Sequence, residues 1–427
     1  MNASDSLGRA RGTRGWCRAV PRLFAFVPFV VAGGLVAVVS CTTAKSATPK
    51  PTGDATVYET EVGKFTRADV LASIAACTYA IAREAAVSAR AFDAACSASV
   101  AAPSDTTRDA TRFAYAALMI SVQKAEVVRL GPYGPKTSPG GEDTRPHVYA
   151  WPALNPCLVD EALVARGYVV GDFVARSLVA ERGLGAAELL VYRTVAENAC
   201  APKSIINAQG TWASLAEAER EARRREYLAV VAKDVSARLE GVARKWDPAG
   251  GDFSGELATA GAGSRHFGSQ QIAINAIVDA LFYLESDLKD QKLGRPLAKS
   301  GCTGAACAKQ VESMYAKLDM PWIRANLEAF SQIFFGCGEG GAGIALDDLL
   351  EGLGAKTVTS DMRAASEEAR RAAGAITSAS LEDAIAREPN QVIALHDALR
   401  KMSDVLKVEV LSAFDLELPK RVEGDND

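Results

Sequence analysis

The chain has 427 residues, 48% of them hydrophobic, and a formal net charge of −4. This length allows two domains or one long one, and an acidic balance without a basic patch argues against nucleic acid as a partner. With three histidines, the sequence contains no His-Glu-x-x-His, no Gly-x-Ser-x-Gly elbow, no phosphate loop and no dinucleotide fingerprint. No such motif therefore points to the enzyme classes that these patterns define.

The N-terminus has the pattern of a secretory signal. Five arginines against one acid, Asp5, precede an uncharged apolar stretch at 23–40. That stretch is about long enough to span a bilayer, so a retained membrane anchor is the alternative. Pro28, Gly33 and Gly34 weaken the anchor alternative because both residue types disfavour a continuous helix.

Residues 38–41, Val-Val-Ser-Cys, resemble the bacterial lipobox, in which the cysteine is lipidated and becomes the new N-terminus. We therefore predict a signal peptide at 1–40, a lipid anchor on Cys41, and a polar tether over 41–62. Thr42 replaces the aspartate of the usual inner-membrane retention signal, which favours the outer membrane. The alternative is an ordinary signal peptide with a chance cysteine.

From residue 65 onward, apolar residues at three and four spacing predict helices. Their predicted ranges are 67–96, 111–130, 159–182, 186 to about 200, 212–246, 269–293, 311–335, 361–376 and a terminal helix to about residue 416. The Gly- and Pro-rich segment 131–157 predicts a loop, and no strand pattern is recognised. The segment 246–255 is the best internal boundary. The prediction is an all-α protein of two tandem helical bundles, 63–245 and 250–427.

Seven cysteines are left for pairing once cleavage removes Cys17 and lipid occupies Cys41. They form no Cys-x-x-Cys pair, so a zinc site is disfavoured, and export favours disulfides. Proximity along the chain suggests Cys77–Cys96, Cys157–Cys200, and Cys337 with Cys302 or Cys307, which leaves one free thiol.

Carboxylates on predicted helices are candidates for binding a hard cation such as iron or calcium. Solvated or salt-bridged carboxylates are the alternative, and the histidines are expected at the surface or at helix caps. The possible supporting carboxylates are Glu126, Asp279, Glu285 and Asp290.

Glu188 differs because it lies within the apolar stretch GLGAAELLVY, residues 183–192. On a helix it shares a face with Leu184 and Val191. A buried carboxylate needs a partner or a metal, or else it stays protonated. The metal hypothesis and an arginine or tyrosine partner both remain open for Glu188.

The same stretch resembles the Gly-x-His-x-x-Glu signature of the imelysin family, which includes a protein described as an insulin-cleaving membrane protease. Gly183 and Glu188 match the first and last positions of this signature, whereas Gly185 occupies the histidine position. Other segments resemble the family in the same order. They are QKAEVVRLGP, YAWPALNPCLVD, AIVDALFYLESDLKDQKLGRPLA and VESMYAKLDMPWIRANLEAF.

The resemblance implies an all-α fold of two related helical bundles and an envelope protein associated with iron uptake. Loss of the histidine at Gly185 makes peptidase activity doubtful, because imidazole is the usual neutral ligand of a catalytic metal. The leading hypothesis is a non-catalytic lipoprotein that binds iron, another ligand or an iron-uptake component. The alternatives are a purely structural envelope protein and a metallopeptidase with an atypical site.

Overall fold

The computed structural model describes residues 56–338, 341–419 and 422. They belong to one compact unit, Gly53–Asp427. The predicted signal peptide, Cys41 and most of the predicted tether lie outside the described residues.

The fold is all-α apart from a short antiparallel hairpin of β1 (Val57–Thr60) and β2 (Gly63–Thr66). The hairpin occupies the end of the predicted tether, and the sequence analysis did not recognise it. Tyr58 and Phe65 are buried on one face, with ring centroids 5.7 Å apart. Two strands of four residues carry too little alternation to be recognised, and burial of these two rings supplies their stability.

The α-helices of the described residues are numbered in chain order. Those of the first half are α1 Arg67–Ala101, α2 Asp105–Val127, α3 Arg145–Val148, α4 Pro156–Ala165, α5 Phe173–Arg176, α6 Gly183–Tyr192, α7 Ile205–Ala208, α8 Thr211–Ser214 and α9 Glu217–Trp246. Those of the second half are α10 Phe253–Ala258, α11 Gln270–Leu281, α12 Asp319–Phe335, α13 Leu346–Gly352, α14 Lys356–Ala375, α15 Leu381–Arg387, α16 Pro389–Asp404 and α17 Leu411–Phe414. Two π-helical stretches, Leu284–Gly294 and Val405–Val410, follow α11 and α16.

The long helix α1 forms the centre of the core. It begins at a capping box in which Thr66 Oγ1 accepts from the Asp69 amide and Asp69 accepts from the Thr66 amide. Alanines such as Ala85 and Ala89 let it pack closely on α2 and α9. Among the described residues, α1 alone is long and apolar enough to cross a membrane, but 56% of its most apolar window is buried in the protein. We therefore describe α1 as a core helix.

Helices on both sides of the predicted boundary at 246–255 pack together. Helix α2 packs on α12, and α1 contacts α10 and α11 as well as α9. Helix α14 packs on α16 and α12. The division into two tandem bundles stays a prediction.

Several predicted helices are interrupted or shorter in the structure, and three of the differences are large. The predicted helix 159–182 is interrupted after α4, where Arg166 has φ +55° and a 3₁₀ turn, Gly167–Val169, follows. Packing explains the break, because Tyr168 and Phe173 both lie against the Tyr227 ring, at centroid distances of 4.8 and 5.5 Å. Helix α6 ends at Tyr192 instead of near residue 200, and residues 311–318 form a loop before α12.

One of the suggested disulfides is confirmed. Cys157 and Cys200 are bonded, but the other bonds join Cys77 to Cys337 and Cys302 to Cys307. Cys77 and Cys96 lie 19 positions apart on α1, which separates them by roughly 28 Å of helix, so this suggested pair was wrong. The leftover thiol is the buried Cys96.

Candidate functional site

The signature segment 183–192 forms the short helix α6, which is buried along nearly its whole length. Gly183 begins it with φ +71°, and a Cβ there would lie 2.7 Å from the carbonyl oxygen of Val148. Only glycine fits such a position without strain. Arg224 Nη2 donates to the carbonyls of Leu189 and Leu190, at 3.1 and 2.7 Å, and so closes the other end.

Gly185 has an ordinary helical backbone and lies beneath Leu154. A Cβ at this position would lie 3.5 Å from Leu154 Cβ and Cδ1, which is ordinary van der Waals contact. The leucine side chain therefore occupies the direction in which a side chain at 185 would extend. No imidazole enters the site from this position.

Glu188 is 3% exposed and points at the loop that precedes α12. Its Oε1 accepts hydrogen bonds from the Ser313 hydroxyl at 3.2 Å, the Tyr315 amide at 3.0 Å and the Ala316 amide at 2.9 Å. The partner of the buried carboxylate is thus neither an arginine nor a tyrosine hydroxyl. The partners of Glu188 among the described residues are the Ser313 hydroxyl and two backbone amides, 125 to 128 positions further along the chain.

Burial raises the pKa of Glu188 to about 7, and the backbone hydrogen bonds from Ala316 and Tyr315 counteract only part of that increase. The nearby Asp319 carboxylate raises it further. At neutral pH the carboxyl group is therefore partly protonated. In either form Oε1 accepts the two amide hydrogen bonds.

Asp319 holds the other end of the same loop. It is 1% exposed and accepts from the Ser313 amide at 2.7 Å and the Leu381 amide at 3.1 Å. Burial raises its pKa to about 6. Ser313 links the two acids, because its hydroxyl donates to Glu188 and its amide donates to Asp319. The same hydroxyl accepts from the Leu318 amide at 3.0 Å. We call residues 313–319 the anchored loop.

A buried ion pair lies at the start of the anchored loop. Lys292 Nζ lies 2.8 Å from Glu312 Oε2, and both side chains are 2% exposed. Lys292 also donates to Gln123 at 2.6 Å and to Asn326 at 2.8 Å. Glu312 Oε1 accepts from Gln123 and from Tyr149, each at 2.9 Å. These bonds connect α2, the π-helical stretch and α12.

At least three of the four predicted supporting carboxylates are paired with cations. Glu126 is 1% exposed and accepts from Arg129, Arg145 and Tyr133. Burial acts to raise its pKa, but the two arginines outweigh that effect and lower it to about 2. Glu285 pairs with Lys289 and Lys407, Asp290 pairs with Lys289, and Asp279 is half-buried on α11. These ion pairs favour the alternative to metal binding.

The residues around Glu188 do not fit a catalytic metal. Such a site usually takes three protein ligands, with imidazole the commonest neutral one. His147 lies 2.6 Å from Arg182 Nη2, His396 lies 3.2 Å from Lys299 Nζ, and His266 packs beside the Phe253 ring. In the described part of the chain, three potential ligands gather only at Cys157, Glu161 and Cys200, where the two cysteines are disulfide-bonded.

The anchored loop was missed because the apolar spacing of 311–335 predicted a continuous helix. Pro321 is the signal that indicates otherwise, since proline is tolerated in the first turn of a helix and not in its interior. Asp319 and Gln123 carry no comparable signal.

A family model described as Imelysin matches residues 78–406. The chain therefore belongs to the imelysin family.

Two solved structures share the fold. An iron-regulated protein A precursor from Parabacteroides distasonis has a TM-score of 0.63 and 15% identity, covering 82% of this chain and 96% of its own. An imelysin-like protein from Psychrobacter arcticum has a TM-score of 0.62 and 14% identity, covering 83% and 96%. No match is found among curated proteins.

Proposed function

We propose that this chain is a non-catalytic, lipid-anchored protein of the bacterial envelope that binds iron or another ligand, with iron-uptake components as partners. The observation that carries the non-catalytic part is the state of Glu188. Its Oε1 is occupied by three donors of the anchored loop, and Gly185 supplies no imidazole. Glu188 then has a structural role, as the acceptor that holds the anchored loop.

A solved structure with the same fold supports the link to iron. The Parabacteroides protein with the same fold is described as iron-regulated.

Export and lipidation are supported by the sequence before the described residues, where the basic region, the apolar stretch and Cys41 follow in order. A Cys41→Ser variant should lose labelled fatty acid and leave the membrane fraction. Retention of both in the variant contradicts the anchor.

One observation favours a second candidate, a peptidase that uses Glu188 as a general base. A carboxyl group with a pKa of about 7 suits proton transfer near neutral pH. The side chain is only 3% exposed and Oε1 already accepts three hydrogen bonds, so only Oε2 is left to reach a substrate water. This candidate ranks below the binding protein.

Two assays on the purified full chain test the proposal. Elemental analysis after incubation with ferric ion should give bound iron in the wild type and in Glu188→Gln alike. Peptide turnover should be absent in both. Sustained turnover that disappears in Glu188→Gln and with chelator would instead establish the peptidase, and absence of bound iron would remove the iron link.

A further inference from the structure

A cavity among the described residues lies at the C-terminal end of α6. Its volume is about 760 Å³, which is within the range of small-molecule sites. Its walls come from the α1–α2 connection, the first turns of α2, the end of α6 with the segment after it, and the start of α9. None of the predicted carboxylate ligands lines it.

The walls of this cavity are rich in arginine, which contrasts with the acidic chain as a whole. Three acids line it as well, of which Asp105 is 86% and Glu221 44% exposed. Ion pairs with such exposed acids are weak. Five arginines line the cavity, namely Arg108, Arg112, Arg193, Arg224 and Arg225.

Several of these arginines have hydrogen-bonding capacity to spare. Arg225 forms no ion pair or hydrogen bond with any described residue and is half-exposed on α9. Arg193 Nη2 pairs with the buried Asp160, but its Nε atom and that of Arg112 are buried and lack a hydrogen-bond partner among the described residues. Buried donors are normally satisfied, so these atoms point to an acceptor that the chain itself does not supply.

The remaining wall is apolar. Leu190, Val191 and Leu228 are buried residues that contribute to it, and the Tyr192 ring lies 5.7 Å from the Arg112 guanidinium. A site that combines guanidinium groups with aliphatic and aromatic surface suits an organic anion better than a bare inorganic one. Planar guanidinium forks match carboxylates in particular.

We propose that this arginine pocket binds a small organic anion that bears two or more carboxylate groups. The inference rests on the proposed ligand-binding role and names the class of ligand. Carboxylate-rich molecules are also ligands of hard ferric ion, so an anionic ferric chelate belongs to the same class.

The test is calorimetric titration of the full chain with citrate, in parallel with inorganic phosphate and with a neutral sugar. Citrate should bind, with an affinity that decreases as salt increases. Arg225→Gln should weaken citrate binding by at least about tenfold, because a charge-assisted hydrogen bond is lost. Arg112→Gln should act in the same direction. The matched control Arg370→Gln, on an exposed part of α14, should bind like wild type.

Each outcome has one meaning. Absence of citrate binding, or equal affinity in wild type and Arg225→Gln, overturns the inference. Phosphate bound as tightly as citrate overturns the assignment to a multi-carboxylate. If wild type and Arg225→Gln bind iron equally and neither binds citrate, the cavity is not the ligand site. The proposed function is then unaffected. Peptide turnover would contradict the proposed non-catalytic function. The citrate titration does not depend on the turnover result.

Discussion

At the scale of single residues, Glu188 couples two distant segments through main-chain atoms. Its Oε1 meets the amides of Tyr315 and Ala316, and Asp319 meets the Ser313 amide. The sequence was sufficient to predict the apolar surroundings of Glu188. It was not sufficient to predict the partner, because every residue except proline carries an amide and nothing in the side chains marks which amides are used.

Glu188 should make the stability of the protein depend on pH. Its folded pKa of about 7 exceeds the ordinary value of 4.5, so the folded state holds the proton more tightly than the unfolded chain. The free energy of unfolding therefore decreases as pH increases from about 4.5 to about 7. The free energy of unfolding of Glu188→Gln minus that of wild type should increase by about 2–3 kcal/mol from pH 5 to pH 8, as measured by urea unfolding.

The control for that comparison is Glu367→Gln, at an exposed position on α14. Its difference from wild type should be the same at both pH values. A difference between Glu188→Gln and wild type that does not change with pH would mean that the pKa of Glu188 is not raised by folding.

At the scale of elements, the spacing of apolar residues was sufficient to predict the long helices. The predicted helices were wrong where tertiary contacts interrupt the helical backbone. The predicted helices 67–96 and 212–246 correspond to α1 and α9. Residues 311–318 leave the helix because Glu188 and Asp319 bind their amides. The break after α4 depends on the Tyr227 ring, which comes from another helix and cannot be inferred from local spacing.

The two glycines of the signature segment should respond in opposite ways to alanine. Gly183→Ala places a Cβ 2.7 Å from a carbonyl oxygen at a φ of +71° and should cost about 1–3 kcal/mol of unfolding free energy. Gly185→Ala adds a methyl group at ordinary contact distance within a helix and should be neutral or stabilise by about 0.5–1 kcal/mol. Thermal unfolding of the pair measures both, and equal losses would contradict the geometry.

At the scale of the whole molecule, long-range connections tie the beginning of the fold to its second half. The Cys77–Cys337 bond spans 260 positions, whereas Cys302–Cys307 spans five. Helix α2 packs on α12, and Lys292 joins Gln123 to Asn326. Composition and helical spacing were sufficient for the all-α class. They were insufficient for these connections, because sequence proximity misled the choice of cysteine pairs.

The two disulfides should differ in their contribution to stability. In the chain-entropy account, a longer closed loop restricts the unfolded chain more. The double variant Cys77→Ser/Cys337→Ser should lose about 2–5 kcal/mol in urea unfolding under non-reducing conditions. Cys302→Ser/Cys307→Ser should lose less. A larger loss from the second pair would contradict the assignment of the long-range bond.

The most direct test of the central claim, that Glu188 anchors the loop at 313–319, is amide hydrogen exchange in wild type and Glu188→Ala. The amides of Tyr315 and Ala316 donate to Glu188, so they should be protected in wild type and exchange much faster in the variant, while α1 stays protected in both. Equal protection of the two amides in wild type and variant would contradict the anchoring role.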